Sequence, residues 1–384
     1  MKHSSSMILG FSLGFAGLSL GKTSNQAPFV NLMTPTLPTY ASQTEEQAAR
    51  GSLVGRFPGF KELLQPSIDP GLASYQPVTQ PLQGNYTLAS SDVLAVLSQQ
   101  WIDAFMLMYP NVTMQIPAPH AGSLGALELT KGTLDGVFVS RELKPSDIDG
   151  FSAKFGYPPT SIPICGGSYR QFGFLDAMAF VVNKENPVEH LTFDQLDSIF
   201  STTRARGGPS ITTWGQLGVG GELGKSPINI YGIKPWNGFE EFIRQRVLSY
   251  NGRSGIAVNN TAKDPHVTWD ATVFNMSRYV ANDPAGIAYT GLAYIDRPVK
   301  VLGTTNPTTG NLVTPTYENI AMASWPLARI IYFNLNSPPH KGMDPVLREL
   351  VKFVLSKEGQ QILLDQGVFL PFREFQQKSS LNLL

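Results

Sequence analysis

Cysteine is nearly absent from this chain. A single thiol, Cys165, among 384 residues has no internal partner, so no disulfide framework holds the fold. Zinc-ligand spacing is absent too, and five scattered histidines (His3, His120, His190, His266 and His340) form no metal motif. Excess charge is also lacking. Lys plus Arg number 29 and Asp plus Glu number 29, with no basic run, which excludes the electrostatic footprint of a nucleic-acid binder. No internal repeat is visible and no cofactor is implied. The longest apolar run, residues 7–20, is too short and glycine-rich for a transmembrane span.

What remains is an ordinary globular composition, 42% hydrophobic, with 29 Pro and 36 Gly that favour many loops over long helices. The length exceeds one compact core and predicts two lobes. Lys2 and His3 ahead of the apolar run have the order of a signal peptide, read as residues 1–27, and place the chain in the periplasm or outside the cell. Ala27 and Ala41 are candidate cleavage positions, and neither completes a small-x-small pattern. No cysteine follows the core, so a lipid anchor is not expected. Residues 28–83 are rich in Pro, Ser, Thr and Gln and read as an N-terminal arm, with one short helix at 57–64.

From Tyr86 the pattern becomes regular. Residues 86–89 read as a strand, and Val93, Leu97, Trp101 and Phe105, four apart, read as the buried stripe of a helix. Val112, Met114 and Ile116 alternate as a second strand, a helix follows at 124–130, and a third strand spans 135–139. This β-α-β-α-β order implies a parallel sheet with its loops at one edge. The pattern recurs beyond it. A strand at 177–182 leads through Asn186-Pro187 to a helix opened by Thr192 and Gln195, a capping-box pair. Further strands read at 228–231, 285–289 and 330–334, with helices from Phe239, over 345–355 and over 358–365.

Helix N-termini after strands are natural anion sites, because unpaired N–H groups and the positive dipole end converge there. Four such turns recur: Ser90-Ser91-Asp92, Gly122-Ser123, Ser140-Arg141 and Asn237-Gly238. Taken singly, each is equally an N-cap with a structural role. Three other motifs carry less. Residues 218–226 nearly spell a P-loop, but Val219 occupies the first glycine position and no clear strand precedes it. Gly122-Ser123 lacks the spacing of a nucleophile elbow, and Cys165 has no activating neighbour.

The stretch DAMAFVVNKENPVEHLTFDQLDSIFST, read with SWPLARIIYFNLN and VLRELVKFVLSKEGQQILLDQGVFLPF, resembles the substrate-binding proteins of high-affinity phosphate ABC transporters. The resemblance spans residues 84–372. It implies a two-lobed, type II periplasmic binding-protein fold, each lobe a mixed, mostly parallel α/β sheet flanked by helices, with two crossover strands at the hinge. Its boundaries are expected at 84–175 for the first part of lobe I, 176–285 for lobe II and 286–384 for the rest of lobe I. The chain is expected to cross near 174–178 and again near 285–289.

The resemblance also implies phosphate or a related oxyanion as ligand, a membrane permease as partner, and no metal or catalysis. By position it brings Ser91, Asp92, Val93, Gly122, Ser123, Ser140, Arg141, Lys234, Asn237, Gly238 and Phe239 to the ligand. The match thins in the second lobe, where relatives carry Gly-Arg-x-x-Ser-Gly-Thr. Ile233 stands for the arginine, Asn237 for the serine and Phe239 for the threonine, and Val93 stands where a threonine is common. Lys234 and Arg141 restore positive charge, with Arg141 equally a structural ion-pair partner. Asp92 either accepts a proton from phosphate or caps its helix. Phe239 either packs inward or lines the ligand space beside Trp236 and Tyr231. The alternatives to transport are a scaffold, adhesion or sensory protein with altered or lost ligand, and a secreted phosphate-ester hydrolase.

Overall fold

The computed structural model describes residues 68–118, 122–170, 175–234, 237–259, 266–322 and 324–384, with the backbone alone at 122–125. The expected signal segment, the helix at 57–64, His120 and Trp236 lie outside the described residues. The described residues form two compact units. One is split in sequence, 68–168 with Arg329–Leu384; the other, Tyr169–Ala328, is inserted into it.

The split unit begins with β1 (Gly84–Ser90), a 3-10 turn at Asp92–Leu94, α1 (Ala95–Met108), β2 (Val112–Gln115) and α2 (Gly122–Lys131). It continues through β3 (Gly136–Val139), α3 (Pro145–Phe155) and β4 (Thr160–Gly166). The inserted unit runs β5 (Met178–Asn183), β6 (His190–Leu191), α4 (Phe193–Phe200), α5 (Gly221–Lys225), β7 (Asn229–Ile233) and α6 (Gly238–Ile243). It goes on with β8 (Val267–Asp270), α7 (Met276–Ala281), β9 (Gly286–Gly291), β10 (Val299–Val301), β11 (Gly303–Thr305), β12 (Leu312–Val313) and α8 (Tyr317–Ala321). The chain returns as β13 (Ile330–Leu335), α9 (Pro345–Leu355), α10 (Lys357–Gln366) and α11 (Glu374–Leu381).

In the split unit the sheet order is β2-β1-β3-β13-β4, with β1 parallel to β2 and β3 and with β13 antiparallel to both its neighbours. In the inserted unit the main sheet order is β10-β5-β9-β7-β8. There β9, β7 and β8 are parallel, while β5 is antiparallel to β9 and β10. Strands covered on both faces carry continuous apolar runs, as in GVFV of β3 and MAFVVN of β5, every residue of which is buried. Edge strand β2 alternates, with Val112 and Met114 inward. Its expected third member, Ile116, is buried just past the strand end.

The α1 stripe forms as spaced, through buried Leu97, Trp101 and Phe105 joined by Ser98 and Ile102. Val93 instead belongs to the preceding 3-10 turn and is half-buried. The Trp101 ring lies 5.9 Å from Phe138, and Phe138 lies 4.6 Å from Phe333, so helix and sheet share one aromatic core. The Trp101 indole N–H donates to the Gly359 carbonyl at 2.8 Å, which ties α1 to α10. In the inserted unit the Thr192 box forms as expected. Thr192 Oγ1 accepts from Gln195 N–H at 3.1 Å, and Gln195 Oε1 accepts from Thr192 N–H at 2.9 Å.

The unit boundaries differ from those expected. The chain passes between units after Ser168 and after Ala328, not near 174–178 and 285–289. The cause is β9, which pairs with β5 on one side and β7 on the other and so keeps residues 286–291 inside the inserted sheet. At the split unit the two connections run side by side: Ile330 pairs with Gly166, and Gly167 N–H donates to the Arg329 carbonyl at 2.9 Å. At the inserted unit Met178 N–H donates to the Leu327 carbonyl at 3.0 Å.

The described end of the N-terminal arm is anchored to the split unit. Ala73 accepts from Lys357 N–H at 2.9 Å and donates to Gln377 Oε1 at 3.0 Å. The Tyr75 hydroxyl reaches Tyr109 at 2.7 Å and Glu349 at 3.0 Å, and Asp69 pairs with Arg373 at 3.2 Å.

Candidate functional site

In the split unit, β2, β1 and β3 are parallel neighbours, so their carboxyl ends share one edge. The first turn, the start of α2 and the Ser140 turn all follow those ends. Two of the three are joined directly. Ser91 is buried, its N–H donates to the Phe138 carbonyl at 2.9 Å, and its Oγ accepts from Ser140 N–H at 3.1 Å. The Ser91 hydroxyl keeps its own proton to donate beyond this accepted bond. Beneath it, buried Ser98 Oγ donates to Ser90 Oγ at 2.9 Å, and Ser90 Oγ donates to the Ser91 carbonyl at 3.0 Å. That network fixes the turn from below.

Asp92 is exposed, and its Oδ1 accepts from Val93 N–H at 2.9 Å, the geometry of a helix-start carboxylate. α2 begins at Gly122, so Gly122 and Ser123 are its first residues and not the turn before the helix expected at 124–130. Arg141 is engaged within its own loop. Its Nη1 donates to the Glu142 carbonyl at 2.8 Å and to Asp147 Oδ2 at 3.0 Å, while the same carboxylate oxygen accepts from Lys144 N–H at 2.9 Å. One carboxylate therefore caps α3 and holds the guanidinium.

In the inserted unit, Lys234, Asn237, Gly238 and Phe239 follow β7. Lys234 is exposed, and its backbone N–H donates to the Asp270 carbonyl at 2.8 Å. Asn237 Oδ1 caps α6 by accepting from Phe239 N–H at 2.9 Å, which leaves its amide N–H₂ as the donor. Gly238 is exposed, and a Cβ there would meet nothing.

Ile233, at the expected arginine position, is fully buried, and the Tyr289 hydroxyl bridges its N–H at 3.3 Å and its carbonyl at 3.4 Å. The strand end is thus apolar and locked from behind. Phe239 is half-buried with its ring edge-on to Tyr294 at 5.4 Å, while Phe242 and Ile243 fill the buried face of α6.

The loop after β8 is equally fixed. Burial alone would raise the Asp270 carboxyl, but hydrogen bonds from the Tyr279 hydroxyl, the Asn275 amide and the Thr272 and Ala271 N–H groups outweigh it and hold the group below the usual carboxylate range. Phe274 and Tyr294, which share this edge with Phe239, escaped the sequence reading. The only local signal was the Thr272 cap that donates no charge and marks no motif.

Residues set aside earlier are structural here. The P-loop-like stretch follows a 3-10 turn at Trp214–Leu217 and holds the five-residue α5, whose Lys225 pairs with Glu222 at 2.7 Å. Cys165 is fully buried in β4, and burial pushes its thiol well above the ordinary range, so it is held as a neutral apolar group.

Residues 76–358 match the family model described as a PBP superfamily domain. The chain is 32% identical over 303 residues to the phosphate-binding protein PstS of Pseudomonas aeruginosa, covering 78% of this chain and 87% of the relative. It is 22% identical over 278 residues to Protein SphX of Synechococcus elongatus, covering 71% and 74%. Among solved structures, PstS from Borrelia burgdorferi aligns with TM-score 0.49 and 17% identity over 75% of this chain and 99% of that one. On the family match and the 32% identity over most of both chains, the chain belongs to the phosphate ABC transporter substrate-binding family of the PBP superfamily.

Proposed function

We propose that this chain is exported and captures phosphate or a related oxyanion reversibly outside the cytoplasm, for import by an ABC-type permease. No bond is made or broken. The observation that carries this reading is the Ser91–Ser140 pair, in which the buried Ser91 hydroxyl joins the turns after β1 and β3 into one polar edge. The relative identified as a phosphate-binding protein supports the choice of ligand. Within the split unit, backbone amides at the three turns along the β2-β1-β3 edge and the Ser91 hydroxyl are the proposed donors. Arg141 contributes by positioning its turn through Asp147.

Thermal unfolding tests this directly. Protein stripped of carried-over ligand by unfolding and refolding should gain Tm with added phosphate, since a ligand bound only to the native state stabilises it. No shift with phosphate or any phosphoryl anion would remove the reading. Among the described residues no helix is long and apolar enough to cross a membrane.

A further inference from the structure

Asn-Gly occurs twice in the chain, at Asn237-Gly238 and Asn251-Gly252, both in the inserted unit. The fold treats the two differently. Asn251 and Gly252 are the central residues of a tight hairpin, in which Tyr250 N–H donates to the Arg253 carbonyl at 3.0 Å and Arg253 N–H to the Tyr250 carbonyl at 2.9 Å. Their φ values of 47° and 75° are the positive pair of a type I′ turn, which Asn-Gly supplies readily. Both residues are exposed, and a Cβ on Gly252 would meet nothing. Among the described residues neither the Asn251 side-chain amide nor Gly252 N–H has a partner. Asn237 is instead engaged twice. Its Oδ1 accepts from Phe239 N–H at 2.9 Å and its backbone carbonyl from Glu241 N–H at 3.0 Å, so side chain and backbone both belong to the cap of α6.

We propose that Asn251 is a site of spontaneous deamidation, from which the cap protects Asn237. The Gly252 backbone nitrogen attacks the Asn251 side-chain carbon, a C–N bond forms, and the amide nitrogen leaves as ammonia. Solvent water then adds to one carbonyl of the cyclic imide and reopens it, to aspartate or to β-linked isoaspartate. A glycine at the attacking position puts no side chain in the way. The turn must rotate out of its positive φ pair for these atoms to meet, and at Asn251 only the exposed tip has to open. At Asn237 the side chain must first leave Phe239 N–H and the backbone then leave Glu241 N–H, which dismantles the start of α6. The product carries a carboxylate where a neutral amide stood and moves the chain off its balanced charge. The β-linked form also lengthens the backbone of a two-residue turn, next to Tyr250, whose ring lies 4.6 Å from the Arg206 guanidinium.

Ageing the folded full chain at mildly alkaline pH, followed by tryptic digestion and mass spectrometry, tests this. Residues 226–244 and 247–253 fall in separate tryptic peptides, so Asn237 and Asn251 are read independently. In the folded protein the acid form should accumulate in 247–253 at least about tenfold faster than in 226–244. In denaturing urea, where the cap and the hairpin are both gone, the two rates should converge. Asn251→Gly keeps a residue suited to positive φ and removes the reactive amide, so it should abolish the acidic isoform that isoelectric focusing shows in aged wild type. Equal rates at the two sites in the folded protein, or no acid form at Asn251, overturns the proposal. A rate ratio in urea as large as that in the folded protein assigns the difference to local sequence and overturns it as well.

Discussion

Ser91 Oγ accepts a hydrogen bond from Ser140 N–H at 3.1 Å, across 49 residues of sequence. The contact joins the ends of β1 and β3 and turns two separate N-cap-like turns into one polar surface. The Ser91 oxygen thus has a structural role as acceptor, and its proton is the proposed donor to the ligand.

Ser91→Ala should therefore act twice. Loss of the buried acceptor leaves Ser140 N–H without its partner and should lower stability by about 1–3 kcal/mol, read by urea unfolding. Loss of the donor should weaken phosphate binding by about tenfold or more, read by calorimetry.

Asp147→Asn separates architecture from recognition at the neighbouring turn. The substitution weakens both the cap on α3 and the grip on Arg141, and the expected loss is about 1 kcal/mol in urea unfolding. Phosphate affinity should fall by less than it does in Ser91→Ala. A larger fall would place the Arg141 guanidinium on the ligand.

Gly232 tests the packing behind the inserted loop. A Cβ there would collide with the Trp269 ring across the β7–β8 pair, so Gly232→Ala should destabilise by about 1–3 kcal/mol. Unfolding followed by Trp fluorescence reports it, because the indole must move.

The arm anchor carries a pH signature. Burial would raise the Asp69 carboxyl, but N–H donors from Gly71 and Glu374 and the Arg373 charge prevail and lower it below its ordinary value of 3.8. A depressed carboxylate stabilises the fold above its unfolded value, and that contribution is lost as pH falls through the folded one. Wild type should lose stability over this acid range more steeply than Asp69→Asn, and the variant should already be less stable at neutral pH. Urea midpoints measured from pH 7 down to about pH 2 check both outcomes.

The sequence announced much of this arrangement through local signals. Thr192 with Gln195, the i,i+4 stripe of Leu97, Trp101 and Phe105, and the apolar runs of β3 and β5 each need only neighbouring residues to be read. Pairings across long sequence distances were not legible. That β9 slots between β5 and β7, moving the unit boundary from 285 to 328, depends on sheet partners far apart in sequence. The joining of Ser91 to Ser140 and of Phe239 to Tyr294 is illegible for the same reason, since neither pair shares an element or a motif.

The central claim is that the Ser91 edge captures a phosphoryl anion. Calorimetric titration of inorganic phosphate into refolded wild type and Ser91→Ala tests it most directly. The account predicts saturable one-to-one binding by wild type that is weakened at least about tenfold in the variant. Equal affinities in the two proteins, or no heat of binding in wild type, would contradict it.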